Sequence, residues 1–233
     1  MIGNKPSIYN AQSVYNQGGG GASDNAGFNL FSMVITDVSE HYISSLVEFD
    51  DRFELICSQS GKEIYAGVQP NIDPIYIDDL EKLEASLHMY FIPQTRNNRA
   101  DIFATAFNIS TGTEGKRWVN ARYLNYSDEL FLFSDLSGFA SNTTLNAPDI
   151  INKEVTLKLT YNKLTSRLRL EKTSGGTPWM MTVSTDNSKL AGESIGVSFG
   201  IDKWEGYPFN AGTIIYKTGT YVKYNDTLVW GIE

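Results

Sequence analysis

The chain has 233 residues and a single cysteine, Cys57. One thiol excludes an intramolecular disulfide and any cysteine-cluster zinc site. Cys57 ends the apolar run Phe53-Glu54-Leu55-Ile56-Cys57, where a small buried hydrophobe is expected. Histidine is nearly as scarce: His41 and His88 are the only two, so a nucleophilic thiol or hydroxyl has few bases to draw on. Basic runs are missing too. Nineteen Lys and Arg are scattered against 27 Asp and Glu, for a formal net charge of -8. Nucleic-acid binding draws on clustered cations, so no nucleic-acid partner is expected. No stretch reaches the roughly 18 apolar residues that cross a bilayer, and no membrane partner is expected either. The opening Met1-Ile2-Gly3-Asn4-Lys5-Pro6 lacks the apolar core of a signal peptide, which predicts synthesis in the cytosol without ordinary secretion.

Helical patterning is rare. Asp78 to Ala85 begins acidic and puts Leu80 and Leu83 on one side, which predicts two helical turns. No fixed-period repeat is present, against a propeller or solenoid. The rest reads as strand after strand: Phe28 to Thr36, Tyr42 to Phe49, Arg52 to Cys57, Ser86 to Ile92, Asp101 to Asn108, Lys116 to Leu124 and Glu129 to Phe133. These runs are rich in Val, Ile, Thr, Tyr and Phe and are bounded by turn residues.

Two hairpins can be written with a register. Glu154 to Tyr161 alternates apolar and polar, and so does Leu164 to Leu170. A two-residue turn at Asn162-Lys163 would place Tyr161 against Leu164, Leu157 against Leu168 and Val155 against Leu170, all on one face. Lys158 would then lie opposite Arg167 on the wet face. At the end of the chain, Tyr221 to Tyr224 turns at Asn225-Asp226 into Thr227 to Trp230, residues that tolerate the required positive φ. Val222 would meet Val229, and Tyr221 would meet Trp230. The expected fold is all-β, an antiparallel β-sandwich of jelly-roll or lectin-like type with a flexible N-terminal peptide.

Three segments follow. Residues 1–17 are polar with paired apolar points, Ile8-Tyr9 and Val14-Tyr15, which suit a peptide docking on another surface. Residues 18–26 form a glycine-rich hinge containing Gly18-Gly19-Gly20-Gly21-Ala22-Ser23. It is not a phosphate-binding loop, since no Lys-Ser or Lys-Thr follows at the required place. Residues 27–233 form the sandwich head, with a small C-terminal piece conceivable from about Gly206.

Catalytic patterns are thin. Glu48-Phe49-Asp50-Asp51-Arg52-Phe53-Glu54 resembles the Glu-x-Asp-x-x-Glu strand motif of laminarinase-type glucanases, but the last Glu comes one residue late and Asp50-Asp51 falls where a turn belongs. Gly196-Val197-Ser198-Phe199-Gly200 matches a nucleophile elbow in letters, yet Ile201-Asp202-Lys203-Trp204 is no helix, so a plain strand is expected. Asp73, Asp78, Asp79, Glu81 and Glu84 lack calcium-loop spacing and read as a solvated face. His88 reads as a residue of a sheet face. No catalytic residue, metal site or cofactor is expected. Trp179, Trp204, Tyr207 and Phe209, in or beside loops, are the candidate ligand-binding aromatics.

Met1-Ile2-Gly3-Asn4-Lys5-Pro6-Ser7-Ile8-Tyr9-Asn10, followed by Ser13-Val14-Tyr15-Asn16-Gln17 and the glycine run, resembles the start of structural proteins in tailed phages of gut Bacteroidales, crAss-like phages included. Ala211 to Thr220 is similar in style to fibre ends. The resemblance implies a virion protein of head-fibre or capsid-decoration type. Ile8, Tyr9, Val14 and Tyr15 would dock on other virion proteins of the capsid or tail, and the head would project outward. A homo-oligomer is expected, a trimer by the threefold habit of such assemblies. The alternative is a carbohydrate-binding lectin-like adhesion module; a polysaccharide hydrolase stands third.

Overall fold

A computed structural model describes residues 28–34, 44–57, 64–70, 73, 75–93, 102–111, 117–124, 128–136, 139–185, 191–192, 194–203 and 211–233. These residues build two antiparallel sheets packed as a β-sandwich. The first sheet runs β1 (Phe28–Val34), β4 (Ile64–Pro70), β14 (Ser194–Lys203), β7 (Ile102–Thr111), β8 (Arg117–Leu124), β9 (Glu129–Leu136) and β10 (Phe139–Asn146), with the short β5 (Ile75–Tyr76) also on β14. The second runs β13 (Trp179–Ser184), β12 (Arg167–Ser174), β11 (Glu154–Asn162), β6 (Lys82–Pro93), β15 (Ala211–Tyr216), β3 (Arg52–Cys57) and β2 (Ser44–Glu48). The last hairpin, β16 (Thr220–Tyr224) with β17 (Thr227–Ile232), joins the second sheet through β6.

Alternation writes the core. Leu83, Ala85, Leu87, Met89 and Phe91 of β6, Val155, Leu157, Leu159 and Tyr161 of β11, and Leu168 and Leu170 of β12 all point inward. The first sheet answers with Ala121, Leu130, Leu132, Val197 and Phe199. Phe199 and Trp230 stack across the interior, ring centroids 5.8 Å apart. The Gly-x-Ser-x-Gly letters lie inside β14, between β4 and β7, as a plain strand. Asp50-Asp51 sits in the turn between β2 and β3, closed by the Phe49 amide donating to the Arg52 carbonyl at 2.8 Å.

The helix expected over Asp78 to Ala85 does not form. Ile77–Asp79 makes one 3-10 turn, and β6 begins at Lys82. A two-turn helix is too short to hold itself, and the apolar period of two from Leu83 to Phe91 gives the strand a core to bury.

Both hairpins change register, the first with its faces kept and the second with Trp230 moved from the face of Tyr221 to that of Val222. In the first, the 3-10 turn Lys163–Thr165 and a left-handed Ser166 (φ 49°) replace a two-residue turn. Tyr161 therefore pairs with Leu168 and Leu159 with Leu170, while Leu164 is 91% exposed at the tip. Lys158 faces Glu171 instead of Arg167. The shift is even, so no side chain changes face. The longer turn has its own bonds: Asn162 Oδ1 accepts from the Thr165 amide, and Lys163 reaches the Asp78 carbonyl and Glu81. In the second, the turn is where expected, with Asn225 at φ 47° and Asp226 at φ 67°. A bulge then sets Val222 against Trp230 and Tyr221 against Gly231, displacing the expected pairs with Val229 and Trp230.

β15 is hydrogen-bonded to β3 on one side and β6 on the other. Residues 211–232 are thus paired into the second sheet through β15, β16 and β17.

Candidate functional site

The second sheet turns its other face outward, and the pairing registers sort that face into rows. One row is Glu54, Ile214, Tyr90 and Glu154, from β3, β15, β6 and β11. The next brings together Arg52, Tyr216, His88, Thr156 and Ser174. A third holds Tyr221, Ser86, Lys158 and Glu171; a fourth holds Lys223, Glu84, Thr160 and Arg169. Most of these side chains are half-buried, and Ser86 and Tyr221 are buried.

His88 stands at the centre. Its Nε2 lies 2.8 Å from Glu154 Oε1 and its Nδ1 2.9 Å from the Thr218 carbonyl. Both partners are acceptors, so only a doubly protonated ring donates to both at once. The ring lies 4.6 Å from that of Tyr216, centroid to centroid. Burial pushes the Tyr216 phenol up from its ordinary value, the Glu154 carboxylate adds to the rise, and Arg52 opposes it. The phenol therefore stays an O–H donor through the neutral range. Arg52 Nε donates to Glu54 Oε1 at 2.8 Å, a bond that raises the guanidinium further. The same guanidinium lies over the Phe49 ring, 4.3 Å from its centroid.

A second polar group sits beside it. Tyr221 donates to Glu84 Oε1 at 2.7 Å, and Lys158 Nζ lies 3.3 Å from the same oxygen. Burial and the bond to Glu84 raise the Tyr221 phenol. Burial works against the Lys158 ammonium, but Tyr221 and Glu84 together outweigh it and the net shift is upward. On β12 Arg169 is bonded to Glu171, and at the C-terminus Lys223 to Glu233.

The acidic residues near the 3-10 turn serve as anchors. Asp78 accepts from the Gly192 amide at 2.7 Å, and Glu81 pairs with Lys163. Among the described residues no cluster of His, Cys, Asp or Glu is arranged to hold a metal ion. Of the glucanase-like carboxylates, Glu48 is bonded to the buried Lys217 at 2.8 Å and Glu54 to Arg52.

A buried ammonium closes one end of the sheet. Lys172, whose side chain is fully buried, points Nζ at the carbonyls of Asp149 (3.1 Å), Pro148 (3.4 Å) and Gly175 (3.5 Å), with Asp149 Oδ2 at 3.6 Å. The loop that surrounds it holds Ala147, Asp149 and Asn152 in the left-handed region. Gly175, at φ 83°, approaches so closely that a Cβ there would meet the Glu154 carbonyl at 2.3 Å.

Of the candidate aromatics, Trp179 is half-buried, packs against the core and donates its indole N–H to the Pro148 carbonyl at 2.7 Å. Trp204, Tyr207 and Phe209, the docking set Ile8, Tyr9, Val14 and Tyr15, and His41 lie outside the described residues. The outward rows went unnoticed in the sequence, except that Lys158 was placed on the wet face and His88 read as a sheet-face residue.

No family model matches the sequence, and no curated protein matches it. Solved structures do match in shape. The metal-free form of lectin I-B4 from Griffonia simplicifolia is 12% identical, with a TM-score of 0.53 over 76% of this chain and 90% of that one. The lectin UEA-II complexed with galactose is 10% identical, with a TM-score of 0.53 over 76% and 89%. The alginate lyase of Klebsiella pneumoniae is 10% identical, with a TM-score of 0.56 over 75% and 81%. The fold is a lectin-like β-sandwich. At such identities the likeness is one of fold alone.

Proposed function

We propose that this chain is a non-catalytic, carbohydrate-binding head whose contact surface is the outer face of the second sheet. The observation that carries the reading is the set of continuous rows of half-buried carboxylates, cations, hydroxyls and phenols around His88 on a lectin-like sandwich. Sugar hydroxyls both donate and accept, and their ring faces pack on aromatic rings, so a surface of this composition fits them. The lectin UEA-II, solved with galactose, shares the sandwich. A glycan array probed with the full chain should return a defined set of hits, and Tyr216→Ala with His88→Ala should abolish them without lowering Tm by more than a few degrees. An array with no hits would end the reading. The alginate lyase among the fold relatives makes cleavage the competing activity; incubation with alginate should yield no unsaturated uronate product.

The setting we propose is a phage virion, as head fibre or capsid decoration. What supports it is the resemblance carried by residues 1–17 and the glycine run that follows. A sticky peptide on a hinge raises the effective concentration of the head at its target, and several copies add avidity. A chain lacking residues 1–22 should lose particle binding while keeping the Tm of the head. Decoration of particles by the shortened chain would refute the tether.

A further inference from the structure

The cations of the outer face are already matched. Arg52 is bonded to Glu54 and to Asp51, Lys158 to Glu84, Arg169 to Glu171 and Lys223 to Glu233, and His88, a cation only when doubly protonated, lies against Glu154. A carboxylate or sulfate brought to any of them is drawn to the cation but repelled by the carboxylate already bonded to it. It also enters the field of a chain whose formal net charge is -8. Like charges at such separations repel even through a protein surface's effective dielectric, and the repulsion selects against a partner as surely as a contact selects for one. Hydroxyl groups face no such conflict. They donate to Glu54 and Glu154 and accept from Arg52, Lys158 and the Tyr216 phenol.

From this pairing of every cation in the four rows with a carboxylate, we infer that the face discriminates by charge. It takes uncharged glycan segments and turns away uronate-bearing or sulfated ones. The inference rests on the carbohydrate-binding reading and names its substrate class. The row through His88 crosses five strands, β3, β15, β6, β11 and β12. At about 4.8 Å between strands the face spans roughly 19 Å, which suits a run of several sugars better than a terminal one. The polyuronate of the alginate lyase that shares the sandwich is therefore excluded here by electrostatics.

The test uses affinity electrophoresis of the full chain in gels containing a neutral galactan, glucan or mannan, or alginate. The wild type should be retarded by at least one neutral polymer, with a dissociation constant roughly tenfold or more below that for alginate. Glu54→Gln with Glu154→Gln removes the two carboxylates beside Arg52 and His88. That variant should gain retardation in alginate, and the gain should vanish at high salt, where exposed charges are screened. Circular dichroism checks that it is folded, and Glu154→Gln alone serves if the double variant is not. Alginate binding by the wild type as tight as neutral binding overturns the charge rule and leaves the glycan reading standing. So does a folded variant that gains nothing. Retardation by no polymer removes the glycan reading and this inference together.

Discussion

Lys172 carries its ammonium into a fully buried place and meets backbone carbonyls from two loops there. A thioether of similar length would leave the Asp149 and Gly175 carbonyls without this donor, and each such loss costs about 1–3 kcal/mol. Lys172→Met should therefore lower stability by roughly 2–4 kcal/mol, read from urea midpoints. Pro148 is a lesser loss, because Trp179 still donates to its carbonyl. Asp149, bonded to Lys153 and near Lys172, is held below the usual carboxylate range, with Lys153 the chief cause and burial opposing. A carboxyl so shifted stabilises the fold above its unfolded value of about 3.9 and gives that up as pH falls through its folded value. Asp149→Asn should therefore melt below the wild type at neutral pH, and the gap should close in acid below about pH 4.

At the level of strands and turns, Asn225 does two jobs. It takes the left-handed conformation the hairpin needs, and its Oδ1 accepts from the amides of Glu81 and Lys82 while Nδ2 donates to the Asp79 carbonyl. Asn225→Gly keeps the first job and loses the second. It should cost about 1–2 kcal/mol in chemical denaturation, whereas a turn-only role predicts no loss. Gly231, at φ 86°, lies where a Cβ would meet the Thr220 carbonyl at 2.2 Å, so Gly231→Ala should destabilise by more than about 1 kcal/mol, whereas at a compatible position the same replacement stabilises. The turn at Asn225-Asp226 and the alternation of β11 and β12 were legible because both are local. The registers were not. The even slip in the first hairpin depends on Lys163 finding Asp78 and Glu81, far away in sequence, and the bulge near Trp230 depends on Phe199 across the core. The outward rows are harder still: Tyr216 meets His88 only because β15 inserts beside β6, a pairing that no window of sequence announces.

For the molecule as a whole, the sandwich was legible from strand count, turn spacing and the scarcity of helix, while the order of strands within each sheet was not. The proposed trimer belongs to this scale. Light scattering on the full chain and on one lacking residues 1–22 should give trimers in both cases, which would assign the assembly to the sandwich. Monomers in both cases would leave a single-copy lectin-like module as the better account.

The seat of β15 also sets an order of events. Arg52 pairs with Tyr216 and Cys57 with Ala211, so β3 waits for residues 211–216 to be made before it is joined to β6. Until then the β2–β3 hairpin has no neighbour within its sheet on its inner side. Pairings so distant in sequence are slow to close, and the unfilled slot is an open edge while it lasts. A nascent chain halted before residue 211 should stay open to protease across 44–57. With that slot open, holdase chaperones would matter to this chain during synthesis, before residues 211–216 fill it.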